Sequence, residues 1–222
     1  METSLITNKK MFVITANPET FMLGLKNQDM DKALTNDEAI IVPDGIGVLK
    51  AVQRMGNDIH ERITGVDIAE YLLKYGNTHN KRIYIYGCTQ EVLDLLSKKL
   101  ASTYPNLNVV GIKNGYDNDE KDVFEDIKYQ SPDIILIALG IPKQEILIQK
   151  YYRTFDKGIF IGIGGALDVL SGYKKRAPKI FIKLNLEWLY RIAKEPCRIK
   201  RFLKNNVTFV KTVKNIIKNM EN

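Results

Sequence analysis

Residues 133–139 read DIILIAL, an almost unbroken run of apolar side chains that ends at Gly140. Five similar runs occur along the chain, at residues 11–15, 39–42, 82–86, 107–112 and 158–163. A continuous apolar run, without polar alternation, is typical of a strand that is buried on both faces of a parallel sheet. The six runs therefore predict the strands of a parallel β-sheet.

Amphipathic stretches separate these runs and predict the helices. They cover residues 19–27, 45–55, 66–75, 90–104, 119–129 and 143–152. Strand and helix in regular alternation predict an α/β fold, with a Rossmann-like, doubly wound and mostly parallel sheet. In such a sheet the ligand binds in the crevice beyond the carboxyl ends of the strands.

The C-terminal part of the chain differs from the rest in charge. Residues 173–222 hold 14 Lys and Arg against 3 Asp and Glu, whereas residues 1–172 hold 19 against 23. Residues 179–192 and 199–220 have helical spacing, with apolar side chains among the basic ones. Basic and apolar residues in this arrangement fit helices on an anionic membrane surface better than they fit a disordered arm that binds nucleic acid. We therefore expect an α/β core at residues 1–172 and a basic, helical, membrane-binding appendage at residues 173–222.

Composition argues against several other classes of protein. No apolar run approaches the roughly 18 residues that a membrane-spanning helix needs, and residues 1–10 do not resemble a signal peptide. Cys88 and Cys197 give no disulfide framework, which favours a reducing, cytosolic location. The two histidines exclude a histidine-rich metal site.

Two Asp-x-Asp pairs have the spelling of a metal motif found in some sugar transferases. They are residues 29–31 and 117–119, and both lie in polar stretches away from the predicted strand ends. We interpret them as solvated loops and expect neither a metal nor a cofactor.

Polar residues with useful chemistry follow the predicted strands. Asp44, in the sequence PDG, is the best candidate for a general base because it is ionised at neutral pH. Capping of the following helix is the alternative role for this carboxylate. Arg62 offers a guanidinium for phosphate or sugar, and Gln144 offers an amide for a sugar hydroxyl, unless it is simply a solvated helix end.

Glycines follow the sixth predicted strand, at positions 162, 164 and 165. Leu167 stands where the third glycine of a dinucleotide fingerprint would be. The amides of these glycines either face a nucleotide pyrophosphate or merely turn the chain, and the sequence leaves both roles open.

Short motifs are spread in order over residues 11–203. They are Thr15-x-Asn17, Pro43-Asp44-Gly45-x-Gly47, Glu61-Arg62-x-Thr64-Gly65-x-Asp67, Gly140-x-Pro142-Lys143-Gln144-Glu145, Gly162-x-Gly164-Gly165, Asp168, Gly172, Arg176-Ala177-Pro178, Glu187-Trp188-Leu189-x-Arg191 and Glu195-Pro196-x-Arg198-x-x-Arg201. Together they resemble the motifs of the bacterial glycosyltransferases of the WecG/TagA/CpsF family.

That resemblance implies the transfer of N-acetylmannosamine, or a related sugar, from a UDP-sugar to N-acetylglucosamine linked to undecaprenyl diphosphate. The transfer would invert the anomeric centre without a metal and would serve teichoic acid or surface polysaccharide synthesis. The resemblance assigns the base to Asp44, substrate binding to Thr15, Asn17, Arg62, Gln144, Gly162, Gly164 and Asp168, and lipid-diphosphate binding to Arg191, Arg198 and Arg201.

Two other functions fit part of the sequence. A basic tail suits nucleic acid, but the tail has few aromatic residues placed for stacking and the acidic core would repel a phosphate backbone. A nucleotide-sugar-binding protein without catalysis would have the same fold. We expect an enzyme attached peripherally to the cytoplasmic face of the membrane, with no nucleic-acid partner. The apolar tail faces leave a homo-oligomer open.

Overall fold

The computed structural model describes residues 1–220, except for the side chains of Arg198 and Met220. Its strands are β1 (Met11–Ala16), β2 (Ala39–Pro43), β3 (Arg82–Gly87), β4 (Asn108–Lys113), β5 (Ile134–Ala138) and β6 (Ile159–Gly162). They form one sheet in the order β2-β1-β6-β5-β3-β4, and every pair of neighbours is parallel. The predicted α/β fold is confirmed.

Helices follow the strands in alternation. They are α1 (Glu2–Thr7), α2 (Pro18–Gly24), α3 (Gln28–Leu34), α4 (Ile46–Arg54), α5 (Gly65–Thr78), α6 (Gln90–Thr103), α7 (Glu120–Gln130), α8 (Lys143–Tyr151), α9 (Ala166–Leu170), α10 (Lys179–Lys183), α11 (Glu187–Lys194) and α12 (Arg198–Met220). The sequence did not predict α1, α3 or α9. The helix predicted at residues 179–192 is divided at Asn185, whose φ of 58° lies in the left-handed region.

The central strands explain why the apolar runs are continuous. Side chains of β5 alternate between two apolar clusters, with Ile134 and Leu136 in one and Ile135 and Ile137 in the other. The two clusters lie on opposite faces of the sheet, because successive side chains of a strand point to opposite sides. Both faces of β5 are therefore core.

Burial on both faces is a wrong prediction for β2. This strand lies at the edge of the sheet, and 46% of Ile40 and 36% of Ile41 are exposed. The reason is position rather than composition, since an edge strand has only one neighbouring strand and less cover from the helices.

The interpretation of residues 29–31 as a loop is also wrong, because these residues lie in the first turn of α3. Met30 is completely buried, and Asp29 pairs with Lys32 at 2.8 Å. Acidic side chains in the first turn of a helix are stabilised by its dipole. In the described part of the chain, no group of three or more His, Cys, Asp or Glu side chains is placed to hold a metal ion.

The C-terminal helices contact the core. Helix α12 has 23 residues, about 34 Å at the usual rise per residue, and packs against α2 and α4. Its Phe209 is 5% exposed and forms a third apolar cluster with Met22, Val48 and Ala51. The ring of Trp188 on α11 stacks on Phe202 of α12, with centroids 4.7 Å apart.

Other apolar side chains of these helices remain exposed. They are Ile180, Leu184, Leu189, Ile199, Leu203, Val207, Val210 and Ile216. Within residues 1–220, no helix has both the length and the apolar character needed to cross a bilayer.

Candidate active site

Two adjoining cavities open beyond the carboxyl ends of the strands, where a doubly wound sheet binds its ligands. The larger has a volume of about 640 Å³ and the smaller about 340 Å³. The residues that line both are Asn17, Glu19, Asp44, Arg191 and Arg201. Ligands in the two cavities therefore share one wall, and the Asp44 carboxylate is part of it.

Asp44 follows β2 and is partly buried, and its backbone N–H donates to the carbonyl of Ala16 at 2.9 Å. The helix-capping alternative is wrong, because Gly45 is the cap residue of α4 and makes no side-chain cap bond. Burial raises the pKa of Asp44 to about 6, although Arg62 and then Arg191 act in the opposite direction. A carboxylate with this pKa is ionised at neutral pH and is a stronger base than an ordinary aspartate.

A buried carboxylate holds two arginines beside Asp44. Glu187 on α11 is 3% exposed and accepts hydrogen bonds from Arg62 at 3.1 Å and from Arg191 at 2.8 Å. Burial alone would raise the pKa of Glu187, but the guanidinium groups of Arg191 and Arg62 outweigh it and hold the pKa below its usual range. All three side chains line the smaller cavity, so this wall is made jointly by the core and the C-terminal helices.

Gln144, the second residue of α8, is 3% exposed and ties two strand ends together. Its Oε1 accepts from the backbone N–H of Gly140 at 3.2 Å and of Gly164 at 3.0 Å, and its Nε2 donates to Glu145 at 2.7 Å. Gly162 lies beneath it, where an added Cβ would come within 2.5 Å of Nε2. The solvated helix-end alternative is therefore wrong.

Thr15 and Asn17 are placed at the end of β1. The hydroxyl of Thr15 donates to the carbonyl of Gly162 at 3.1 Å and lies on the wall of the larger cavity. Asn17 caps α2 by accepting from the backbone N–H groups of Glu19 and Thr20 at 2.8 and 3.2 Å. Both residues are held in place by backbone contacts at the crevice.

Comparison with known proteins identifies the family. The sequence profile of the glycosyl transferase WecG/TagA/CpsF family matches residues 1–221. The chain belongs to this family. The resemblance inferred from the dispersed motifs is confirmed, and the chain is a glycosyltransferase.

Relatives in three bacteria carry the name N-acetylglucosaminyldiphosphoundecaprenol N-acetyl-beta-D-mannosaminyltransferase. The protein of Bacillus subtilis strain 168 is 39% identical over 91% of this chain and 80% of its own length. The protein of Bacillus spizizenii strain W23 is 36% identical over 90% and 78%. The protein of Staphylococcus aureus strain MW2 is 35% identical over 88% and 76%.

Two of the three tail arginines predicted in this glycosyltransferase lie at the crevice. Arg191 and Arg201 line both cavities, and Nε of Arg201 lies 3.3 Å from the carboxylate of Glu19. The side chain of Arg198 lies outside the described part of the chain. The C-terminal helices thus bring cationic groups to the wall that contains Asp44.

Asp168 lies at the far side of the larger cavity, on α9. It pairs with Lys174 at 3.0 Å, and Lys174 also lies 3.4 Å from Glu195, beyond the end of α11. Gly164, with φ of 50°, turns the chain before α9.

Burial, with the neighbouring Asp168, raises the pKa of the Cys88 thiol to about 12, so this cysteine stays protonated.

Sequence reasoning missed the roles of Glu187, Glu145 and Lys174. Glu187 is spaced four residues from Arg191 on one helix, a signal that predicts that ion pair but not the pair with Arg62. Contact between residues 62 and 187 depends on the fold. Asp67 stabilises the start of α5, where it forms a reciprocal capping box with Thr64.

Proposed function

We propose that this glycosyltransferase moves N-acetylmannosamine, or a related N-acetylhexosamine, from a UDP-sugar to N-acetylglucosamine linked to undecaprenyl diphosphate. The names of the three relatives support this acceptor and this sugar. The family resemblance implies that the donated sugar is linked to UDP. The product would be an early lipid-linked intermediate of teichoic acid or surface polysaccharide synthesis.

The observation that carries the proposal is the position of Asp44 on the wall between two cavities. A sugar transfer needs a donor and an acceptor on either side of one base. We assign the donor to the larger cavity, which has room for a nucleotide and a sugar, and the acceptor sugar to the smaller one. The smaller cavity is open to the C-terminal helices, where a lipid-linked substrate arrives.

The reaction is a single displacement. The Asp44 carboxylate takes the proton of an acceptor hydroxyl as the hydroxyl oxygen attacks the anomeric carbon of the donor. A new bond forms between that carbon and oxygen, and the bond from the carbon to the β-phosphate oxygen breaks. UDP leaves with the electron pair from the face opposite the attack, so the anomeric configuration inverts.

Cationic side chains support a leaving diphosphate in this mechanism. Lys174, Lys175, Lys194, Arg191 and Arg201 line the larger cavity. Charges placed where negative charge develops stabilise a transition state more effectively in a site shielded from water. We propose that these groups, together with the amides of Gly164 and Gly165, stabilise UDP without a metal.

Helices α10, α11 and α12 would hold the enzyme at the cytoplasmic face of the membrane. Net positive charge and exposed apolar side chains on the same helices are what binding to an anionic leaflet requires. Arg191, Arg198 and Arg201 would bind the lipid diphosphate there. Arg191 and Arg201 line both cavities and would therefore face the diphosphates of both substrates.

UDP release tests the proposal. The full chain is incubated with a panel of UDP-N-acetylhexosamines and a short-chain prenyl-diphosphate-linked N-acetylglucosamine. We expect UDP release that needs both substrates and persists when divalent cations are chelated. If no donor in the panel gives acceptor-dependent UDP release, the proposed function is wrong.

A further inference from the structure

Glu145, on the first turn of α8, is a buried carboxyl group that the proposed mechanism does not use. It is 1% exposed, yet it belongs to the wall of the larger cavity. Its Oε1 accepts from the amide of Gln144 at 2.7 Å. Its Oε2 is buried and has no hydrogen-bond partner among the described residues.

An unpaired buried carboxyl oxygen is costly in either protonation state, since an ionised oxygen lacks a donor and a protonated one lacks an acceptor. Such atoms are rare in folded proteins, and one that belongs to the wall of a cavity is a candidate for a hydrogen bond to a ligand. Burial, only partly offset by the hydrogen bond from Gln144, raises the pKa of Glu145 to about 7. A carboxyl that is easily protonated suits a cavity that receives a diphosphate, because it adds little repulsion.

The sheet places this carboxyl at the sugar end of the proposed donor site. Asp44 follows β2, and Gln144 lies over Gly162 at the end of β6, two strands away. Two strand spacings are about 10 Å. A hexosamine with its anomeric carbon near Asp44 extends across β1 toward Glu145, while the nucleotide extends toward Asp168.

We propose that Glu145 recognises the donor sugar, with Oε2 forming a hydrogen bond to a hydroxyl or acetamido group of the hexosamine. The inference rests on the proposed UDP-sugar donor. Glu145 is then a specificity-determining residue, and Gln144 positions it through the bond to Oε1.

Binding of three nucleotides tests this role: UDP-N-acetylmannosamine, UDP-glucose and UDP. The variants are Glu145→Leu, which removes both oxygens, and Glu145→Gln, which keeps an oxygen for Gln144 and is the fallback if the leucine variant does not fold. Glu125→Gln, at an exposed carboxylate on α7, is the matched control.

We expect Glu145→Leu to weaken the binding of UDP-N-acetylmannosamine roughly tenfold or more and Glu145→Gln to weaken it less, while UDP binding stays within about twofold. Loss of binding confined to UDP-N-acetylmannosamine assigns the contact to the acetamido group, and an equal loss for UDP-glucose assigns it to a hydroxyl. Equal weakening of UDP, or no weakening, would overturn the inference. Failure of the wild type to bind any UDP-sugar would instead remove the proposed function.

Discussion

At the scale of the residue, the proposed mechanism depends on Asp44. Its raised pKa, about 6, predicts that activity falls on the acidic side of the pH profile, because a protonated carboxyl cannot take the proton of the attacking hydroxyl. We expect kcat/KM to fall about tenfold per pH unit below pH 6 and to be level from pH 7 to 8. The Asp44→Asn variant should retain donor binding and lose about 100-fold or more of kcat.

Asp29→Asn serves as the control for that variant, because Asp29 is an exposed carboxylate on α3 that pairs with Lys32. Its kcat should stay within about twofold of wild type. Unchanged turnover in Asp44→Asn would mean that another group takes the proton.

A second prediction at this scale concerns Glu187. Glu187→Leu leaves the largely buried guanidinium of Arg62 without its carboxylate. We expect the free energy of unfolding to fall by about 2–4 kcal/mol, less than for a fully buried pair because Arg191 is half exposed. The double variant Arg62→Leu, Glu187→Leu should recover part of this loss in urea unfolding. A double variant as unstable as the sum of both single changes would show that the pair is not coupled.

At the scale of the element, Phe209 attaches α12 to the core. Phe209→Ala removes the largest side chain that α12 contributes to the third cluster. We expect a loss of about 3 kcal/mol in the free energy of unfolding and faster amide exchange along α12. Turnover should fall as well, because Arg201 lies on the same helix. Ile216→Ala, at an exposed position, should change none of these, and identical behaviour of the two variants would contradict the attachment.

At the scale of the whole molecule, the proposed function gives the C-terminal helices two tasks. They would bind the membrane through exposed side chains and complete the cavity wall through Glu187, Arg191 and Arg201. The two tasks use different faces of the same helices. Membrane binding and chemistry should therefore be separable by substitution.

Leu203→Ser combined with Val207→Ser tests this separation, since both side chains are about half exposed. Removing two partly inserted apolar side chains should weaken binding to anionic liposomes by tenfold or more, given roughly 1 kcal/mol or more for each. Turnover of a short-chain, water-soluble acceptor should be retained. Tyr129→Ser on α7 is the control, and liposome binding equal to wild type in the double variant would refute the assigned surface.

Local pattern predicted much of this molecule. The six apolar runs all became strands, and Asp44, Thr15, Asn17, Gln144 and Asp168 all line the larger cavity. Burial of β2 was mispredicted because position in the sheet, not composition, determines cover at an edge. Helix α3 was missed because its short, polar sequence resembles a loop until Met30 is packed beneath it.

The sequence by itself determined the parallel α/β sheet and the family, because hydrophobic period and motif spacing are local properties of the chain. Only the tertiary structure decided what those residues touch. The Arg62 pair with Glu187 spans 125 residues, and the unpaired oxygen of Glu145 is visible only once its surroundings are packed. Contacts of this kind depend on strand order and helix packing, which no local pattern encodes.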